Sequence, residues 1–183
     1  RLWSAVATSA AAVSAASTFD PPPPSIRRRH RSAAAAVIFD NETFIEGVND
    51  SKKIKEADRI NLARLIKTKA LAYGYGIVNH ETIDEINILQ ATLKAMKIAV
   101  TNLRTIPNLV LIDGNKSFVS KISTKTIVKG DSKSFCIAAA SILAKVKRDD
   151  IMKKAAEDYP NYAWKKNKGY GTKEHIKAIK EFG

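Results

Sequence analysis

The chain has 183 residues, of which 45% are hydrophobic, so it is long enough for one globular domain with a sizeable core. No apolar run reaches the length of a membrane-spanning helix, and the single cysteine, Cys136, excludes a scaffold of intrachain disulfides and favours a reducing compartment. The formal net charge of +13 suggests a polyanionic partner such as nucleic acid, although a merely soluble basic surface would carry the same charge.

Residues 1–32 differ in composition from the rest of the chain. They contain five Arg, no Lys and one acid, Asp20, and their four consecutive prolines favour an extended polyproline conformation. This head has the composition either of a transit-type targeting peptide or of foreign sequence joined to a Lys-rich domain. Both interpretations predict a disordered head outside the core. Residues 33–183 still carry 26 basic and 17 acidic residues, a net charge of +9, so the basic character does not depend on the head.

From residue 33 onwards, strand and helix patterns alternate. The string AAAAVIFD predicts a short buried strand closed by the turn pair Asp40–Asn41, and TFIEGVND predicts a second strand. Apolar residues at nearly helical spacing predict a helix over residues 51–70, with Ser51 as its N-cap. The β-branched and aromatic string LAYGYGIVN then predicts another strand.

The later segments continue this alternation. A helix is predicted over residues 80–103, with an apolar stripe formed by Ile86, Leu89, Leu93, Met96 and Val100. The strings NLVLIDG and KTIVKGD predict two more strands, and a long helix is predicted from Ser134 until it ends at Pro160. A short last helix, with Thr172 as its cap, closes the chain. Strands that alternate with helices predict an α/β layered domain.

Two acids stand at the ends of predicted strands. Asp113 ends NLVLID, and Asp131 follows the strand of KTIVKGD just before the long helix. Functional residues of α/β sheets collect at the carboxyl ends of strands, where two carboxylates could share Mg²⁺ or Mn²⁺ and support phosphodiester hydrolysis. Spacing alone leaves structural alternatives open, because Asp-Gly is a common turn and Asp131 could cap the helix.

Five longer strings occur in order along the chain: NDSKKI, IDEINILQATLKAM, VLIDGN, VKGDSKSFCIAAASILAKVKRD and NKGYGTKEH. Together they closely resemble ribonuclease HII, over about Ala34 to Gly183. The resemblance implies a ribonuclease H-like α/β domain over residues 33–183, with a mixed central sheet flanked by helices. It also implies a metal-dependent endonuclease, using Mn²⁺ or Mg²⁺, that hydrolyses the RNA strand of RNA–DNA hybrids.

The resemblance assigns roles to individual positions. Asp113 and Asp131 match two catalytic carboxylates of the family, of which Asp113 is a metal ligand, and we expect both to bind the metal. Tyr170 matches the tyrosine that packs near the ribose at the RNA–DNA junction. The matching loop near the nucleic-acid backbone comprises Asn49, Ser51 and Lys52.

Further residues on the two last helices are open to functional and structural interpretations. Lys145 and Arg148 lie three positions apart on the long helix and could face phosphates, although a solvated helix face explains them as well. Asp149 and Asp150 are predicted to be surface charges, and His175 is predicted to lie on a helix surface.

The chain departs from the family at both ends. The family begins with Asp-Glu-Ala-Gly-Arg-Gly-Pro on its first strand, where this sequence has FDPPPPSIRRRHRS, with no Glu before Glu42 and no Gly before Gly47. The first strand is therefore predicted to be disrupted, because prolines cannot donate to a central ladder. The His-Arg-rich segment with which the family continues also has no counterpart after Gly183, so the domain is predicted to be incomplete.

The missing acids define the alternatives for function. Two of the four carboxylates of a ribonuclease HII site are absent from the matching position, so we expect an endonuclease with little or no activity. The alternative is a catalytically dead domain that binds RNA–DNA hybrids. A basic α/β domain with another partner is a third. We expect a monomer that does not bind membranes, cytoplasmic if bacterial and organellar if the head is a transit peptide.

Overall fold

The computed structural model describes residues 10–16, 32–48 and 54–182. In this part of the chain the strands are β1 (Ala10–Ala16), β2 (Ser32–Ile38), β3 (Ala72–Val78), β4 (Leu109–Asp113) and β5 (Ser123–Ile127). The α-helices are α1 (Glu56–Lys69), α2 (His80–Thr101), α3 (Phe135–Asp158), α4 (Trp164–Asn167) and α5 (Lys173–Phe182). Short 3₁₀ turns occupy Gly130–Ser132 and Pro160–Tyr162.

The strands form one mixed sheet in the order β3-β2-β1-β4-β5. Strand β1 lies in its centre, antiparallel to β2 and parallel to β4, and β4 in turn pairs parallel with β5. The mixed sheet with flanking helices confirms the predicted ribonuclease H-like α/β class.

The position of β1 corrects two predictions. Residues 10–16 belong to the head that was expected to lie outside the core, yet they supply the central strand, and so the first strand is not disrupted. The physical reason lies in the string AAAVSAA, whose small uncharged side chains suit a strand covered on both faces. The four prolines come later in the chain and lie, with Asp20, outside the described residues.

Two apolar clusters cover the two faces of the sheet. Helix α2 packs on one face, where Ala11 and Val13 of β1 lie within its cluster. Helices α1 and α3 cover the other face, where Ala35 and Val37 of β2 meet the alanine-rich first half of α3. Small side chains on both sides let these helices approach the strands closely.

Strand β3 shows how close this approach is. Its residues Gly74 and Gly76 face α2, and a Cβ at Gly76 would collide with the backbone carbonyl of Ala95. The absence of a side chain at these positions therefore lets the helix backbone lie directly on the strand.

Helix α2 is kinked, which changes its predicted apolar stripe. Asn87 has a φ of 65°, and its side-chain oxygen accepts the backbone N–H of Gln90 at 3.1 Å, as an N-cap would. The kink shifts the phase of the stripe, so Leu89 is 46% exposed, whereas Met96 and Val100 are buried as predicted.

The predicted strand TFIEGVND does not form in its described part, residues 43–48. The carboxylate of Asp40 accepts the backbone N–H groups of Glu42 at 3.1 Å and Thr43 at 2.6 Å, which turns the chain directly after β2. Helix α1 begins at Glu56 rather than near Ser51, which lies outside the described residues.

The remaining predicted elements form close to their expected bounds. The predicted long helix is α3, and Thr172 caps α5 by accepting the backbone N–H of His175 at 3.2 Å. Within residues 10–16, 32–48 and 54–182, no helix is both long enough and apolar enough to cross a membrane.

The close contact between β3 and α2 gives a stability prediction. We expect Gly76→Ala to lower the free energy of unfolding by about 1–3 kcal/mol, because the added methyl group must displace the α2 backbone. Urea denaturation measures this change. The control is Ile77→Thr, a partly exposed position on the opposite face of β3, which should change stability by about 0.5 kcal/mol or less. Equal losses in both variants would contradict the tight contact.

Candidate active site

Asp113 lies at the end of β4, between the ends of β1 and β5. Val13 of β1 pairs with Ile112, and both face α2, so the next residues, Ser14 and Asp113, face α3 side by side. The Ser14 hydroxyl donates a hydrogen bond to Oδ2 of Asp113 at 3.2 Å, and the two hydroxyls of Ser14 and Ser141 lie 2.7 Å apart. Strand β1 therefore presents a hydroxyl, not a carboxylate, to Asp113.

The turn that carries Asp131 closes directly onto Asp113. The backbone N–H of Gly130 donates to Oδ1 of Asp113 at 2.9 Å. A Cβ at Gly130 would lie 3.2 Å from this oxygen and 2.6 Å from the end of the Ile137 side chain, so a larger residue here would require Ile137 to move. Asp131 follows this glycine and is half-buried, and the fold thus brings the segments of the two predicted carboxylates together.

The described residues do not complete a site for a divalent cation. Asp113 and Asp131 are hard oxygen donors of the kind that Mg²⁺ and Mn²⁺ prefer, and Ser14 and Ser141 add only neutral oxygens. Within the described part of the chain, no three His, Cys, Asp or Glu side chains form a group able to hold a metal ion. Strand β1, Ala10–Ala16, contains no acidic residue that could add a carboxylate beside Asp113.

A second group of predicted residues meets around Tyr170. Lys145 Nζ donates to the Tyr170 hydroxyl at 3.0 Å, and the guanidinium carbon of Arg148 lies 4.7 Å from the centre of the Tyr170 ring. Tyr170 as a whole residue is 45% exposed, so part of it is accessible to a ligand although two cations lie against the ring. This arrangement suits contact with a nucleotide, whose sugar can pack on the ring and whose phosphate can meet Lys145, the more exposed of the two cations.

Electrostatics around Tyr170 favour its ionised form. Burial raises the pKa of Tyr170, but the hydrogen bond from Lys145 and the charges of Arg148 and Lys145 outweigh burial and hold the pKa below its ordinary value. Asp149 opposes them weakly. The phenol oxygen accepts a hydrogen bond from Lys145, which fixes its position.

Three side chains lie elsewhere than predicted. Asp149 is buried, with 5% exposure, because Arg59, Lys145 and Arg148 surround it, so its prediction as a surface charge was wrong. Arg148 is 4% exposed, which excludes the solvated helix face for this residue. His175 is also buried, because α5 packs it edge-on against the rings of Tyr162 and Trp164.

The other predicted site residues remain untested. Asn49, Ser51 and Lys52 lie outside the described residues, so their predicted place near the nucleic-acid backbone stays a prediction. The metal-binding roles of Asp113 and Asp131 likewise stay predictions. Sequence reasoning missed Ser14 and Ser141, although Ser14 is the one polar residue in AAAVSAA and could have marked the end of an apolar strand.

The described residues form an α/β domain with a mixed sheet, in which the turn that carries Asp131 meets Asp113 at the end of β4. The family model described as Ribonuclease HII matches residues 32–183, and this chain belongs to the ribonuclease HII family. Strand β1 lies outside the matched range.

Curated relatives agree with this assignment. The chain is 56% identical over 147 residues to a protein named Ribonuclease HII from Clostridioides difficile, covering 80% of this chain and 58% of the relative. It is 53% identical over 147 residues to the Ribonuclease HII of Acetivibrio thermocellus, covering 80% of this chain and 57% of that relative. The chain thus spans less than two thirds of the length of these relatives.

Solved structures support the fold. The crystal structure of ribonuclease H2 from Pyrococcus horikoshii gives a TM-score of 0.73 at 21% identity, over 92% of this chain and 83% of that chain. The ribonuclease HII in a complex with PCNA from Archaeoglobus fulgidus also gives a TM-score of 0.73 at 21% identity, over 94% of this chain and 87% of that chain.

The contact between Lys145 and Tyr170 gives a pH-dependent prediction. We expect Lys145→Met to raise the pKa of Tyr170, because the lost cation and hydrogen bond favoured the ionised phenol. The tyrosinate absorbance, titrated with pH and compared with Tyr170→Phe, measures the change. Lys147→Met is the matched control, since Lys147 lies over the ring of Tyr75 instead and should leave Tyr170 unchanged. The same Tyr170 pKa in both variants would refute the assigned contact.

Proposed function

We propose that this chain is a ribonuclease HII-type domain that recognises RNA–DNA hybrids and hydrolyses their RNA strand slowly or not at all. The observation that carries the proposal is the hydrogen bond from Ser14 to Asp113, at the point where β1 meets β4. Membership of the family supports the class of reaction, and the neutral first strand supports its weakness.

Recognition and cleavage depend on different parts of the structure. Tyr170 and Lys145 offer a surface on which a ribose can pack against the ring and Lys145 can attract the phosphate backbone, while the buried Arg148 supports the ring from below. The net charge of +13 adds a sequence-independent attraction to any nucleic acid. We therefore expect binding to persist where cleavage fails.

Cleavage in the ribonuclease HII family depends on a divalent metal, and we propose Mn²⁺ or Mg²⁺ for this chain. Such a cation, when bound, activates a water molecule and stabilises charge on the phosphate. Asp113 and Asp131 are the residues that we expect to hold it. Ser14 weakens the site because a hydroxyl adds no negative charge beside Asp113.

A second candidate function is hybrid binding without catalysis. It is favoured by the same Ser14 contact, because Asp113 is already hydrogen-bonded on both oxygens by neutral donors. We propose that either form acts as a monomer without a membrane partner.

Restoring the acids on β1 tests the proposal. We expect Ser14→Asp with Ala15→Glu to raise the Mn²⁺-dependent cleavage of a duplex containing a single ribonucleotide by about 100-fold or more. The new carboxylate at position 14 would lie directly beside Asp113, and position 15 follows it on the side of the α2 cluster. Asp113→Asn in the same double variant is the control and should abolish the gain. If the unaltered chain already cleaves as fast as the double variant, the proposed weakness is wrong.

A single variant provides a second test in case the double variant does not fold. Ser14→Asp places two carboxylates side by side, so Mn²⁺ should raise its thermal unfolding midpoint more than that of the unaltered chain. Binding assays on the unaltered chain separate the remaining functions. Preference for a hybrid without cleavage supports the second candidate, whereas equal binding to all duplexes with a steep salt dependence supports a general basic domain.

A further inference from the structure

A buried carboxylate lies beneath the Tyr170 surface, and the proposed function does not yet use it. Asp149 on α3 is 5% exposed, and three cations surround it. Its Oδ1 lies 3.4 Å from both Lys145 Nζ and a terminal nitrogen of Arg148, and its Oδ2 lies 4.0 Å from Arg59 on α1. A buried Asp is retained only with such partners, because an unpaired buried charge is costly.

Two of the three cations also hold Tyr170. Lys145 donates to the phenol oxygen at 3.0 Å, and Arg148 lies 4.7 Å from the ring centre. These two cations would repel each other at one ring if nothing lay between them. The shared oxygen of Asp149 is equidistant from both and offsets that repulsion.

Arg148 links the same carboxylate to the backbone before Tyr170. Its second terminal nitrogen donates to the carbonyl of Lys168 at 2.6 Å. Lys168 has a φ of 50°, an uncommon conformation for a residue with a side chain, at the point where the chain turns towards Tyr170. The buried guanidinium of Arg148 therefore helps to hold the Tyr170 loop, together with the hydrogen bond from the backbone N–H of Tyr170 to the carbonyl of Asn167 at 2.8 Å.

We propose that Asp149 is a positioning residue for hybrid recognition, which acts through Lys145 and Arg148 to fix the ring of Tyr170. The proposal rests on the proposed function, since it assumes that Tyr170 contacts the nucleic acid. Asp149 itself touches no ligand. Its carboxylate fixes the positions of the Lys145 and Arg148 side chains, and these in turn fix the position and orientation of the Tyr170 ring.

The first test compares two adjacent carboxylates. We expect Asp149→Asn to weaken binding of an RNA–DNA hybrid by about tenfold, the order expected for the loss of one charge-assisted contact. Asp150→Asn removes the same charge from the neighbouring exposed residue and serves as the matched control. It should leave affinity unchanged or slightly increased. Equal effects in the two variants would overturn the proposal.

A double-variant cycle tests whether Asp149 acts through Tyr170. In a Tyr170→Ala background, Asp149→Asn should cost less than about twofold in hybrid affinity, because the ring that it positions is gone. A full tenfold loss in that background would show that Asp149 acts by another route and would overturn the proposal.

A ligand-free measurement follows the position of Lys145 directly. If Lys145 leaves the phenol in Asp149→Asn, the pKa of Tyr170 rises, because the hydrogen bond that lowered it is lost. If both cations stay in place, the pKa falls, because the opposing charge of Asp149 is gone. A fall would overturn the positioning role, whatever the chain binds.

Asp149→Glu distinguishes the effect of the position of the carboxylate from the effect of its charge. It keeps the negative charge among Arg59, Lys145 and Arg148, so its unfolding midpoint should stay closer to that of the unaltered chain than that of Asp149→Asn. Its hybrid affinity should remain reduced, since the carboxylate is displaced by one methylene. Full affinity in Asp149→Glu would assign Asp149 to stability alone.

Failure of the proposed function gives a different pattern. If the unaltered chain shows no preference for hybrids, the recognition role fails for every variant, while the Tyr170 pKa still reports whether Asp149 positions the ring. If the unaltered chain prefers hybrids and Asp149→Asn behaves like Asp150→Asn, only the positioning proposal fails.

Discussion

The structure depends on its central strand, β1, whose side chains are small or β-branched on both faces. Strand β1 pairs with β2 and β4 at once, while α2 and α3 pack on its two sides. Only small or β-branched uncharged side chains fit between these helices, and AAAVSAA supplies them. Because β1 fixes the spacing between β2 and β4, it also fixes where Asp113 ends its strand and what stands beside it.

This constraint separates two features of β1, namely its packing in the sheet and the charge that it places beside Asp113. Strand β1 has kept its packing role while offering Ser14 where a further carboxylate would meet Asp113. The Tyr170 surface lies on α3 and the loop before α5, so it is built without the residues at the end of β1. Packing can therefore preserve the fold and the contacts around Tyr170 even though β1 supplies no acid beside Asp113.

Sequence patterns predicted those elements that local chemistry dominates. Helix α3 and strand β4 formed as expected, because a long apolar run or a periodic stripe leaves few alternatives. The patterns failed where a tertiary contact decides, as at β1, whose alanine-rich string resembled a head of low complexity. They also failed after β2, where one carboxylate, Asp40, turns the chain and prevents the predicted strand.

The sequence by itself determined the α/β class, the resemblance to ribonuclease HII, and the two acids and the tyrosine that match the strings of that family, because ordered strings carry those identities. Tertiary structure alone decided that Ser14 stands beside Asp113 and that Asp149 lies buried among three cations. The physical reason is that both facts are contacts between segments distant in the chain. Their energy depends on burial and on the distance between charges, neither of which a linear pattern contains.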